Sequence, residues 1–199
     1  MLRVSFILAA MVLALGGCDR AQEGSAQPGS APQADDEAGA GAPGAEQPLA
    51  GEVSRAEAGA PLPDFTVTDP DGNALDLASL GGEPVLLNLW ATWCAPCVVE
   101  MPMLDALAEE TAGELRVVTV SQDIRGAEQV EPFFAERGFR KLEPWLDPDS
   151  ELAVRMSEGG QLPLTVLYDA SGREVLRVAG GYEWDSAEAR ALIAEALGE

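Results

Sequence analysis

The sequence predicts one α/β domain with a mixed central sheet flanked by helices, preceded by a long stretch that builds no core. Three observations carry this. From residue 63 onward, apolar runs of strand length alternate with segments of helical periodicity. The chain closes on two strand patterns joined by Ala170-Ser171-Gly172-Arg173 and then an amphipathic helix, so at least one strand pair is antiparallel. A buried run at residues 84–92 turns directly into a helical segment, and the junction carries Trp93-Cys94-Ala95-Pro96-Cys97.

Along the chain, Arg3 and the apolar residues 4–15, about a dozen, have signal-peptide proportions and are short for a membrane span. Leu15-Gly16-Gly17-Cys18 follows and resembles a bacterial lipobox, which implies cleavage after Gly17 and lipid on Cys18. Asp19 resembles a signal for retention in the inner membrane. Residues 18–62 are mostly Ala, Gly, Gln, Glu, Asp, Ser and Pro, with too few large apolar groups to offset the entropy of ordering. They are expected to be a disordered tether, with a span of roughly 35–40 Å for a coil of that length. The expected division is a signal peptide at 1–17, lipidated cysteine and tether at 18–62, and a single folded domain at 63–199.

Within that domain, residues 65–68 alternate as a strand and Asp69-Pro70-Asp71-Gly72 is a turn. Residues 85–90 are a buried central strand and 98–112 a helix, which Pro102 should kink. Residues 116–121 form the next strand. Residues 129–137 form a helix with Val130, Phe133 and Phe134 on one side, and 151–156 a short one. Residues 164–168 and 174–179 are the hairpin, and 187–197 the closing helix.

Composition narrows the chemistry. The formal net charge of −22 disfavours nucleic acid and anionic membrane surfaces as electrostatic partners. The absence of histidine excludes Ser-His and Cys-His pairs, His-ligated haem and most zinc sites. A Cys-x-x-Cys is half a zinc site, but beyond Cys18 the chain has no further cysteine or histidine to complete it, so no metal or cofactor is expected.

The dithiol can instead close a small, easily reduced disulfide. A cysteine at a helix N-terminus faces unpaired N–H groups and the positive end of the dipole, which favour thiolate, so Cys94 is the expected nucleophile. Cys97, one turn later, is placed to resolve a mixed disulfide. Pro96 lacks an N–H and suits the first turn. Glu100 lies three residues beyond Cys97 and leans back toward it; buried, it would have a raised pKa and exchange a proton with Cys97. Spacing alone leaves it equally a solvated surface glutamate. Trp90 and Trp93 read as core and wall beside the dithiol, and Trp184 as packing before the last helix, with a partner surface as the alternative.

The stretch Trp93-Cys94-Ala95-Pro96-Cys97-Val98-Val99-Glu100-Met101-Pro102, with the strand before it and the extra helical segment after Ser121, resembles the TlpA/ResA family of envelope thioredoxin-like disulfide reductases. The resemblance spans residues 63–197. It implies a thioredoxin-like fold with an N-terminal strand extension and an inserted helical segment. It implies Cys94 as attacking thiol, Cys97 as resolving thiol and Glu100 as the active-site carboxylate, the more so because Asn88 stands where ordinary thioredoxins keep a buried aspartate. It also makes Pro163 a cis-proline opposite the dithiol, with Trp93, the Leu162 backbone and Pro163 meeting the substrate; a trans proline opening a strand is the alternative. The implied partners are protein disulfides, a transmembrane thiol transporter as electron donor, and the membrane through lipid on Cys18. The implied location is the periplasmic face of a bacterial membrane, the inner one by Asp19. Relatives of this type serve cytochrome c or copper-oxidase maturation; Leu164, where the cytochrome branch commonly has glutamate, speaks against that branch. Two other classes remain at this stage, a thiol peroxidase, since residues 63–84 also look like the start of a peroxiredoxin-type domain, and a copper(I)-binding module using the two thiolates.

Overall fold

The computed structural model describes residues 49–198. The signal-peptide segment, Cys18 and most of the expected tether lie outside the described residues. No described helix is long and apolar enough to cross a membrane.

One sheet of eight strands runs through the domain. In chain order these are β1 (Glu52–Ser54), β2 (Thr66–Thr68), β3 (Ala74–Asp76), β4 (Val85–Trp90), β5 (Arg116–Ser121), β6 (Trp145–Leu146), β7 (Leu164–Tyr168) and β8 (Glu174–Ala179). The helices are α1 (Ala95–Glu110), α2 (Ala127–Arg137), α3 (Glu151–Met156) and α4 (Ala187–Leu197). The spatial order is β1-β8-β7-β4-β5-β6-β2-β3. The central β4 pairs in parallel with β5 and antiparallel with β7, so the sheet is mixed, as expected.

The central strand is buried on both faces because its side chains feed two cores. Leu86 and Trp90 point to the face covered by α1, α2 and α4, where Met101, Leu104, Trp184 and Ile193 meet them. Val85, Leu87 and Leu89 point to the other face, against Val67, Leu77, Leu152, Val166 and Tyr168. The period-two alternation of β4 thereby assigns Asn88, together with Leu86 and Trp90, to the α1 face. On the antiparallel neighbour β7, Thr165 is the register partner of Asn88. Two polar residues thus stand side by side, buried, beneath α1.

α1 begins at Ala95, three residues earlier than its apolar pattern suggests, and continues through Pro102, which is exposed. Its buried residues, Cys97, Glu100, Met101, Leu104 and Leu107, follow the spacing of one helical face. Leu104 is fully buried, and truncating such a side chain to alanine typically costs about 2–5 kcal/mol.

One boundary requires correction. The stretch read as tether up to residue 62 contributes β1 to the sheet edge, with Glu52, Val53 and Ser54 opposite Ala179, Val178 and Arg177. Its return is also pinned: Leu62 N–H donates to the Gly172 carbonyl at 2.9 Å, and Gly59 N–H to that of Glu174 at 2.7 Å. Pairing with β8 satisfies the backbone of a segment with too few large apolar side chains to announce a strand. The short strands β3 and β6 likewise follow from pairing with β2 and β5 and not from their own patterning.

Candidate active site

The dithiol is built at the C-terminal end of β4, where the backbone is tied down before it reaches the cysteines. Gln122 N–H donates to the Trp90 carbonyl at 2.8 Å, and Cys94 N–H closes a turn onto the Ala91 carbonyl at 3.1 Å. Between them, Thr92 donates from its N–H (2.9 Å) and its hydroxyl (2.7 Å) to the carboxylate of Asp123. Asp123 is fully buried and also accepts from the Ser121 hydroxyl at 2.8 Å and from Gln129 Nε2 at 3.2 Å. This clamp between the strand ends was missed from sequence. Its signal was available: a Ser-Gln-Asp run at the carboxyl end of a parallel strand, beside the next strand's site-bearing end.

Cys94 is the N-cap of α1, and its side chain makes no capping bond. It is joined to Cys97 by a disulfide, with the two Cα atoms 5.3 Å apart. Pro96 occupies the first turn, which contains no acidic residue. The N–H groups of that turn and the positive end of the helix dipole are therefore left facing the sulfurs without a competing carboxylate. Cys94 retains 6% exposure and Cys97 none, so only the first sulfur is open to a partner. Beside them Trp93 is 68% exposed.

Glu100 is fully buried, so the reading of it as a solvated surface glutamate is set aside. One carboxylate oxygen accepts from Asn88 Nδ2 at 2.8 Å. The other accepts from Tyr182 N–H at 3.1 Å and Trp184 Nε1 at 3.3 Å. Asn88 gives its second hydrogen to Thr165 Oγ1 at 2.9 Å, which leaves its own Oδ1 without a hydrogen-bond partner among the described residues. Burial pushes the Glu100 carboxyl up to about 7; the donors from Tyr182, Asn88 and Trp184 pull the other way but do not cancel it. Trp184, read from sequence as packing with a partner surface as the alternative, also aims its indole N–H at this carboxylate.

Pro163 is buried at the same end of the sheet, since Leu89 of β4 pairs with Leu164 and the next residues out are Trp90 and Pro163. The Leu162–Pro163 peptide is cis. Neither the N–H nor the carbonyl of Leu162 is engaged in a backbone hydrogen bond among the described residues. Trp93, the Cys94–Cys97 pair, Glu100, Leu162 and Pro163 are thus all gathered around the strand ends, whereas Cys18 lies outside the described residues. No cluster of acidic, cysteine or histidine side chains suited to a metal ion occurs among the described residues.

The redoxin family profile matches residues 57–190. The thiol-disulfide oxidoreductase ResA of Bacillus cereus is 32% identical over 122 residues, covering 61% of this chain and 69% of that protein. Among solved structures, one assigned as a thiol:disulfide interchange protein DsbE from Chlorobium tepidum superposes with a TM-score of 0.61 at 25% identity, over 71% of this chain and 98% of its own. The pneumococcal exposed lipoprotein thioredoxin Etrx1 from Streptococcus pneumoniae superposes with a TM-score of 0.53 at 28% identity, over 66% of this chain and 98% of its own.

Proposed function

The chain belongs to the redoxin family and is a TlpA/ResA-like thiol-disulfide oxidoreductase, and on that premise we propose that it is a lipid-anchored reductase of protein disulfides in the bacterial cell envelope. The observation that carries the reading is the Cys94–Cys97 disulfide at the N-terminus of α1 with a buried, high-pKa carboxyl on the same helix face.

In the reduced enzyme, the Cys94 thiolate attacks one sulfur of a substrate disulfide. A mixed disulfide forms and the substrate's other sulfur leaves as a thiolate. Cys97 then loses its proton to the Glu100 carboxylate and attacks Cys94 Sγ. The substrate departs with its second sulfur reduced, and the enzyme is left with the Cys94–Cys97 disulfide. Two electrons have passed to the substrate. A carboxyl poised near neutrality suits this, because it can take the proton and return it at working pH. Trp93 offers an exposed apolar wall, and the N–H and carbonyl of Leu162, without a backbone partner among the described residues and held beside Pro163, can pair with an extended substrate segment. Reduction of the resulting disulfide requires a dithiol donor, for which a transmembrane thiol transporter is the proposed partner.

The proposed anchor is lipid on Cys18 at the inner membrane, supported by Leu15-Gly16-Gly17-Cys18 and by the likeness to a lipoprotein thioredoxin. Among substrates, copper-site or cytochrome c cysteines are the proposed classes; Leu164 after the cis-proline favours the former.

The test is to trap the exchange. Cys97→Ser stops the second step and is expected to accumulate a covalent substrate adduct, seen on non-reducing gels and lost in Cys94→Ser. Disulfide reduction that persists in Cys94→Ser, with no adduct in Cys97→Ser, refutes the mechanism.

A further inference from the structure

Residues 180–182, between β8 and α4, touch the redox site at three consecutive positions. Gly180 N–H donates to the Pro163 carbonyl at 2.9 Å. Gly181 packs against Pro96 so closely that a methyl group on its Cα would lie 3.0 Å from Pro96 Cβ. Tyr182 N–H donates to Glu100 at 3.1 Å. One short loop therefore meets the cis-proline, the proline between the cysteines and the buried carboxylate.

That loop is held from outside by the segment leading into β1. Gly51 N–H donates to the Gly181 carbonyl at 2.8 Å. Leu49, half-buried, lies on the side-chain side of Gly181; the same added methyl would meet Leu49 Cδ2 at 2.8 Å. Gly181 is thus clasped between Leu49 and Pro96. Gly51 has no room to spare either: a Cβ there would come 2.7 Å from the Gly180 carbonyl oxygen. Both glycines are required by this close approach. From Gly51 the segment runs on into β1, whose pairing with β8 continues the grip.

We infer that residues 49–54 form a strap that positions the 180–182 loop, and through it the Glu100 carboxylate, so that Leu49 is a positioning residue for thiol–disulfide exchange. The inference rests on the reading of Glu100 as proton acceptor for Cys97. The groups that hydrogen-bond Glu100 are Asn88 on β4 and, from the loop before α4, the Tyr182 N–H and the Trp184 indole; Cys97 lies one turn earlier on the same buried face of α1, and no charged side chain hydrogen-bonds Glu100 among the described residues. Tyr182 and Trp184 both favour the ionised carboxyl. A loosened strap weakens the Tyr182 contact first, so Glu100 then holds its proton to higher pH.

The experiment uses the full chain with Leu49→Ala and, separately, Gly51→Ala, which pushes the strap off Gly180 by steric contact. A mixed disulfide between Cys94 and a small coloured aryl thiol is prepared on reduced enzyme, and its release by Cys97 is followed against pH. Both variants are expected to retain the far-ultraviolet dichroism of the wild type, to show the release midpoint moved upward by about half a pH unit or more, and to exchange the Tyr182 amide at least about tenfold faster while β4 amides are unchanged. Glu100→Gln separates the two ideas. If it leaves the wild-type midpoint in place, the reading of Glu100 fails, and the strap is then judged on Tyr182 exchange alone. Unchanged Tyr182 protection in both strap variants overturns the strap.

Discussion

Replacing Glu100 by glutamine tests the buried carboxyl through stability, independently of catalysis. In the oxidised protein Cys94 and Cys97 are bonded to each other, so neither thiol contributes to the pH dependence. A carboxyl that titrates at 4.5 when unfolded and about 7 when folded binds its proton more tightly in the native state. Native stability is therefore highest below pH 4.5, falls as pH rises through the interval to 7, and stays lower above it. At about 1.4 kcal/mol per pH unit, the loss between about pH 5 and 8 is roughly 2.5 kcal/mol. The glutamine variant has no such proton to lose. Its carbonyl can keep the N–H groups of Tyr182 and Trp184, and its amide nitrogen meets Asn88, whose unpartnered Oδ1 can turn to accept it. Burial also raises the pKa of Asp147, but that contribution is common to both proteins and cancels in the difference. Urea unfolding of the oxidised forms is expected to show the variant gaining about 2.5 kcal/mol on the wild type between about pH 5 and 8. A stability difference that is the same at both pH values refutes the argument that Glu100 is ionised at a cost to the fold.

Two further outcomes are expected. Asp123→Ala strands the N–H and hydroxyl of Thr92, the Ser121 hydroxyl and Gln129 Nε2; it should cost about 3 kcal/mol in denaturant unfolding and slow disulfide reduction, with Asp123→Asn intermediate. Cys18→Ser should move the exported protein from the membrane pellet to the soluble fraction, and its continued sedimentation with membranes would remove the lipid anchor from the proposal.

Most of the fold was legible because its strands are continuous apolar runs and its helices carry one-sided patterns. The β7–β8 hairpin, β5, α3 and α4 fall on the residues that the patterning marks. β1 was not legible: between Leu49 and Ser54 only Leu49 and Val53 are large and apolar, and what makes the segment a strand is an edge of β8 far away in sequence. The dithiol and Pro163 were visible as a local motif and a family likeness. Glu100 was half legible. Its place in the row Cys97, Glu100, Met101, Leu104, Leu107 puts it on the buried face, while Val99 beside it is exposed, the reverse of what hydropathy alone suggests. What sequence could not supply were the donors that reach Glu100 from the distant residues Tyr182 and Trp184, or the strap behind them, because each is a contact between segments far apart along the chain.

The hydrogen bond from Trp184 to Glu100 makes the indole a bystander with a view. Its ring is sealed from solvent and stacked obliquely on Tyr182, with centroids 5.2 Å apart, while its one polar atom points at the group that gains and loses a proton. Neutralising that carboxyl changes the electric field along the indole without changing its packing. The emission of Trp184 is therefore expected to follow the charge of Glu100, in the same interior that the charge destabilises.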